Sequence, residues 1–171
     1  NFIAQFINNI TSNPDPNLTD NNRQYLARYA NLVLLNILKY DWPQSWPNFI
    51  PDILEASHSS PSMCANTFFI LQSLAQEFTE FAENSLSSNR QGEMSSTFIL
   101  QFPLIIPVIE LALASTDNPD LVNSVLTSLK YFIKAIDPTI IFNSKIFSTI
   151  CDTLLPDIRY TINCIGVFGE I

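Results

Sequence analysis

The sequence predicts an all-α fold: a solenoid of antiparallel helical hairpins of the HEAT type. Three observations predict it. Apolar residues recur at helical spacing in one segment after another. No stretch alternates with the two-residue period of a strand, and the chain has only three glycines. Long and short helical segments also pair, and the pairs recur with a period on the order of 40 residues, the range of HEAT and armadillo arrays.

The elements run in order along the chain. Phe2–Ile10 reads as a short apolar helix. Ser12–Asp20 is polar and broken by Pro14 and Pro16, and Thr19 or Asp20 caps the next helix. From Asn21 to Asp41 the positions Leu26, Ala30, Val33, Ile37 and Tyr40 form a stripe that Leu34 and Leu38 widen, as in a helix packed on two sides. Phe49, Ile50, Ile53 and Leu54 mark a shorter helix. Ala56–Ser62 is a turn, with Ser60 as N-cap and Pro61 at the first helical position.

The next helix carries Cys64, Thr67, Phe68, Leu71, Leu74, Ala75, Phe78 and Phe81. Asn84–Glu93 is polar, contains Gly92, and reads as an exposed loop. Phe98–Ala114 is helical, kinked or split at Pro103 or Pro107. Asn118-Pro119 starts another helix, with Val122, Val125, Leu126, Leu129, Phe132, Ile133 and Ile136 on one face, and Asp137-Pro138 ends it. Ile146, Ile150 and Leu154 define a further helix, and Pro156-Asp157 opens a last one with Ile158, Ile162 and Ile165. The paired helices thus start near 20 and 47, near 61 and 95, and near 118 and 144.

Composition narrows the function. The 171 residues suffice for one cored domain, but at 47% hydrophobic and only 14% charged the chain is poor in charge for a free-standing one. Its ends, Asn1-Phe2-Ile3-Ala4 and Gly169-Glu170-Ile171, lie inside the apolar pattern. The expectation is one HEAT segment, 1–171, cut from a longer chain. A net charge of −8 with only eight Lys and Arg argues against direct nucleic-acid binding and favours a basic protein partner. The apolar run 98–114 holds Pro103, Pro107, Gln101 and Glu110 and is a poor membrane span. Cys64, Cys151 and Cys164 lie far apart with no C-x-x-C, which suggests reduced core thiols in an intracellular protein and makes the sequons at Asn9 and Asn17 chance matches.

Catalytic chemistry is not indicated. His58 is the single histidine and sits in a Ser-rich turn without metal or triad spacing. There is no phosphate-binding glycine motif. Glu77, Glu80 and Glu83 read as a solvated acidic face, and Lys130 and Lys134 as a solvent-facing pair. The expectation is a non-enzyme with no cofactor and no metal.

The most informative stretch is Trp42-Pro43-Gln44-Ser45-Trp46-Pro47. Pro43 lacks an N–H and disfavours helix at Trp42, so the preceding helix ends there. Pro47 suits the first turn of the next helix, with Ser45 as N-cap. Trp42 and Trp46 then either wedge the corner and set the superhelix pitch, or present an aromatic anchor to a partner.

The stretch from Leu35 to Ile50, Leu-Asn-Ile-Leu-Lys-Tyr-Asp-Trp-Pro-Gln-Ser-Trp-Pro-Asn-Phe-Ile, resembles the exportin-1 family of β-karyopherins, with its I-L-K-x-x-W-P-x-x-W-P-x-F-I signature. The similarity continues through Asp52-Ile53, Ala56-Ser57 and Ser62–Asn66 into Ile70-Leu71. It returns at Leu121-Val122, Leu126, Ser128-Leu129, Phe132, Ile140–Phe142 and Lys145–Ile150. Asn84–Pro107 and the Asn-rich Asn9–Asn22 depart from the family pattern. The resemblance implies a nuclear export receptor segment that binds Ran in its GTP form and supports export of proteins with leucine-rich signals. It also implies contact with nucleoporins and shuttling between nucleus and cytoplasm. By the same resemblance Trp42 and Pro43 match positions associated with Ran binding, and Trp46 and Pro47 form the structural corner. The export-signal groove and its reactive cysteine belong to later repeats, so none of the three cysteines takes that role. Another β-karyopherin, an import receptor or RNA exportin, and a HEAT scaffold without Ran binding remain open.

Overall fold

Helix follows helix through the computed structural model, which describes residues 20–79 and 86–170 and contains no strand among them. The expected helix Phe2–Ile10, the loop Ser12–Thr19 and the positions Glu80, Phe81, Glu83 and Asn84 lie outside the described residues. The elements are α1 (Asp20–Asp41), α2 (Phe49–Ser57), α3 (Pro61–Thr79), α4 (Ser88–Ala114), α5 (Pro119–Ala135), α6 (Thr139–Phe142), α7 (Lys145–Thr149) and α8 (Thr161–Phe168). A π-helical turn, Ile150–Leu154, continues α7.

These helices form two layers. In one, α1 packs on α3, α3 on α5 and α5 on α8; in the other, α2 packs on α4 and α4 on α7. α3 meets α2 and α4 across the layers, and α4 meets α5. Consecutive hairpins therefore stack side by side, as in the HEAT-type all-α solenoid. The core lies between the layers, where Phe98 of α4 stacks with Phe78, Phe102 and Phe132 at centroid distances of 5.4, 5.9 and 5.9 Å.

Polar bonds join neighbours within the first layer. The Asn31 amide Nδ2 donates to Asn66 Oδ1 at 2.8 Å between α1 and α3. Ser128 Oγ on α5 bonds the Phe68 carbonyl and Gln72 Oε1 on α3 at 3.3 and 3.2 Å. Asn163 Nδ2 on α8 donates to Asn123 Oδ1 on α5 at 2.8 Å.

Two of the expected caps are in place. Ser60 Oγ accepts from the Met63 amide and Asn118 Oδ1 from the Leu121 amide, both at 3.1 Å, with Pro61 and Pro119 opening their helices. The α5 face is buried as expected, from Val122 to Ile136.

Other expectations are corrected. Ser45 is not the cap of α2. That helix starts at Phe49, Asn48 stands at its N-cap without a side-chain cap bond, and Pro47 lies in the preceding turn. On α1 the buried face is Ala30, Asn31, Leu34, Leu35, Leu38 and Trp42, whereas Leu26, Val33 and Tyr40 are exposed. Apolar residues stand on more than one side of this helix, so periodicity alone could not choose its core face. The same holds at the far end. α8 begins at Thr161 and buries Cys164 and Val167 behind Tyr160, leaving Ile158, Ile162 and Ile165 outside.

The polar stretch before residue 98 is not all loop. α4 starts at Ser88, with Ser87 Oγ accepting from the Arg90 amide at 3.4 Å, and runs unbroken through Pro103 and Pro107. Each proline withholds one donor, from the carbonyls of Ile99 and Pro103. Ile99 and both prolines are exposed, so water can meet those carbonyls. By length and composition α4 could cross a membrane, but Met94, Phe98, Phe102, Ile105 and Ile109 are buried against the neighbouring helices.

Glu77 is not part of a solvated face: its carboxylate pairs with Lys39 Nζ at 2.9 Å, both side chains largely buried. Lys134 is exposed but not idle. It lies 3.5 Å from Glu170 Oε2 and over the Tyr131 ring.

Candidate partner interface at the Trp-Pro corner

The corner between α1 and α2 is built from the chemistry of its prolines. α1 carries its hydrogen bonding one step past its end, the Trp42 amide donating to the Leu38 carbonyl at 3.0 Å. The next residue, Pro43, has no N–H and follows a cis peptide bond. The chain then turns, with the Ser45 and Trp46 amides both donating to the Asp41 carbonyl at 2.7 and 3.3 Å. α2 leaves with the Phe49 amide on the Trp46 carbonyl and the Asp52 amide on the Asn48 carbonyl.

The two indoles differ. Trp42 is wholly buried in the core, and its Nε1 finds no acceptor among the described residues. Trp46 is half-buried. Its Nε1 donates to Asp52 Oδ2 at 2.9 Å, and its ring meets Phe49 edge-on at 5.1 Å. Pro43 is half-buried, while Gln44, Ser45, Pro47 and Asn48 are exposed. The structure thus brings Trp42, Pro43, Trp46 and Pro47 into one corner, with Trp42 inside it, Pro43 and Trp46 half-buried and Pro47 exposed.

Side chains from α4 hold this corner, and the sequence reading missed them. Arg90 Nε donates to the Lys39 carbonyl at 3.0 Å, and its Nη2 donates to the Trp42 carbonyl. Arg90 Nη1 pairs with Glu93 at 2.9 Å, and Glu93 accepts from Gln44 Nε2 at 2.9 Å. The hydrogen bond from Gln44, then that from Arg90, holds the Glu93 carboxyl below the usual carboxylate range. Gln101 Nε2 donates to the Pro47 carbonyl at 3.2 Å. Only one signal pointed to these residues: a lone Arg three positions before a Glu in a segment otherwise poor in charge.

Elsewhere the arrangement offers little chemistry. His58 is exposed just past the end of α2. Burial pushes the thiols of Cys64 and Cys164 up to about 11, so both are protonated at neutral pH. No group of three His, Cys, Asp or Glu side chains converges among the described residues.

Comparison with known proteins finds similarity to exportins. Exportin-1 of Drosophila melanogaster is 29% identical over 82% of this chain, and Protein EXPORTIN 1A of Arabidopsis thaliana 28% over 88%. Exportin-1 of Schizosaccharomyces pombe is 28% identical over the whole chain. The chain spans only 13 to 16% of the length of these relatives. The family described as Exportin 1-like protein matches residues 23–168, from the first turn of α1 to the end of α8. With its Trp-Pro corner at the centre of the first hairpin, the chain belongs to the exportin-1-like family.

Proposed function

We propose that this chain is a HEAT segment of a nuclear export receptor and contributes to binding Ran in its GTP form. Export of proteins with leucine-rich signals then depends on it indirectly, the signal itself binding repeats outside 1–171. The receptor acts by binding rather than catalysis, meets nucleoporins on passage, and shuttles between nucleus and cytoplasm.

The observation that carries the proposal is the Trp-Pro corner: the family signature occupies a braced junction whose outer face, Gln44 to Asn48, is open to a partner. Family membership over 23–168 supports the export role. The burial of Trp42 favours one of two routes. The indole sets the pitch of the first hairpins, and the contact surface is the rim around Pro43 rather than the ring.

The test is binding of GTP- and GDP-loaded Ran to the full-length protein, with and without an export-signal peptide. The expected result is preference for the GTP form, tighter with the peptide because coupling between two ligands is reciprocal. Trp42→Ala with Pro43→Ala weakens both ligands. A receptor that ignores the nucleotide on Ran is a HEAT scaffold, and one that binds Ran-GTP but no leucine-rich signal is another β-karyopherin.

A further inference from the structure

Pro43 creates a defect that a distant side chain repairs. In a continuing helix the Lys39 carbonyl would accept from the amide four residues on, which is Pro43 and has no N–H. The Trp42 carbonyl would accept from Trp46, but that amide is turned to Asp41. Both of these carbonyls therefore lack a backbone donor at the turn. Both receive hydrogen bonds from one guanidinium, that of Arg90, 51 and 48 positions away in sequence. We infer that Arg90 is the positioning residue of the Trp-Pro corner: its planar fork supplies the donors that Pro43 and the turn withhold.

The surroundings fit this role. The Arg90 side chain is only 14% exposed. Its charge is met by Glu93, one helical turn further on, and by the carbonyl-rich end of α1, where a cation is favoured. Glu93 in turn holds Gln44 from the corner itself. Ser87 fixes the backbone of Arg90 by accepting its amide hydrogen. A guanidinium suits two separate carbonyls because its N–H groups point in fixed directions; an ammonium is a point charge that cannot span them in the same way. The corner is thus locked to the first turn of α4, the second helix of the next hairpin.

Its consequence for binding rests on the proposed function: if the rim around Pro43 meets Ran, Arg90 sets the angle at which it is presented. Hydrogen exchange by mass spectrometry on the full-length protein reads the first part, and affinity for GTP-loaded Ran the second. In Arg90→Ala, amides in 38–46 should exchange about tenfold faster, with α3 and α5 unchanged, and Ran should bind about fivefold more weakly. Arg90→Lys keeps the charge and helix propensity but not the fork, so it should resemble Arg90→Ala more than the native protein. It also serves if Arg90→Ala fails to fold. Native exchange over 38–46 in either variant overturns the inference, as does full restoration by lysine. Native Ran affinity in the Arg90 variants, with Trp42→Ala/Pro43→Ala impaired, overturns its link to binding. Native affinity in all of them, with faster exchange at the corner, upholds Arg90 as the brace and refutes the Ran reading instead.

Discussion

Trp46 and Asp52 bind the Trp-Pro corner to the helix that leaves it, the indole N–H donating to the carboxylate at 2.9 Å. Asp52 also sits in the first turn of α2, where a negative charge meets the positive end of the helix. Asp52→Ala loses both effects and should lower stability by about 1–2 kcal/mol. Asp52→Asn keeps an acceptor and should cost about half as much. Chemical denaturation with unchanged m-values checks both.

Trp42 presents a different balance. Removing its buried ring in Trp42→Ala should cost about 3–5 kcal/mol. Trp42→Phe keeps most of the ring area and discards an N–H that has no acceptor among the described residues, so its cost should be about 1 kcal/mol. Equal losses in the two variants, measured by thermal melts, would show that the indole N–H is satisfied in solution.

The helix starts give a paired comparison. Ser60→Ala and Asn118→Ala should each lower stability by about 1 kcal/mol through loss of an N-cap. Ser45→Ala, at a residue that is exposed and caps nothing, should change stability by less than about 0.5 kcal/mol.

The raised thiols predict a pH dependence. Desolvation holds Cys64 at about 11; for Cys164, desolvation comes first and the neighbouring Cys151 adds to it. In the unfolded chain these groups ionise near the ordinary thiol value of about 8.5. The unfolded state therefore loses its protons first, and stability falls as pH rises from about 8.5 towards 11, while below that window the thiols contribute no pH dependence. At a pH of about 8, below that window, iodoacetamide should label Cys64 and Cys164 only slowly until denaturant is added, as mass spectrometry will show.

Most of the helical order was legible because prolines and caps punctuate it: Ser60-Pro61 and Asn118-Pro119 mark their helix starts to the residue. The inward face was legible on α2, α3 and α5. α1 and α8 are apolar on more than one side, so Leu26, Val33 and Ile162 looked like core and are exposed. The prolines at 103 and 107 suggested a break, yet α4 continues because its open side tolerates two bare carbonyls. At the site the Trp-Pro signature was plain, but the brace was not. A bond between Arg90 and Lys39 spans 51 positions, and local patterns carry no trace of such a pairing.

The amide and hydroxyl bonds between consecutive first-layer helices bear on how the array deforms. Asn31–Asn66, Gln72–Ser128 and Asn123–Asn163 each join one helix to the next, and Lys39–Glu77 joins α1 to α3 a second time. Sliding one helix along another by a turn would part each pair and strand amides in a partly buried seam. The array is in effect pinned in register: no hairpin can slip along its neighbour without breaking these bonds.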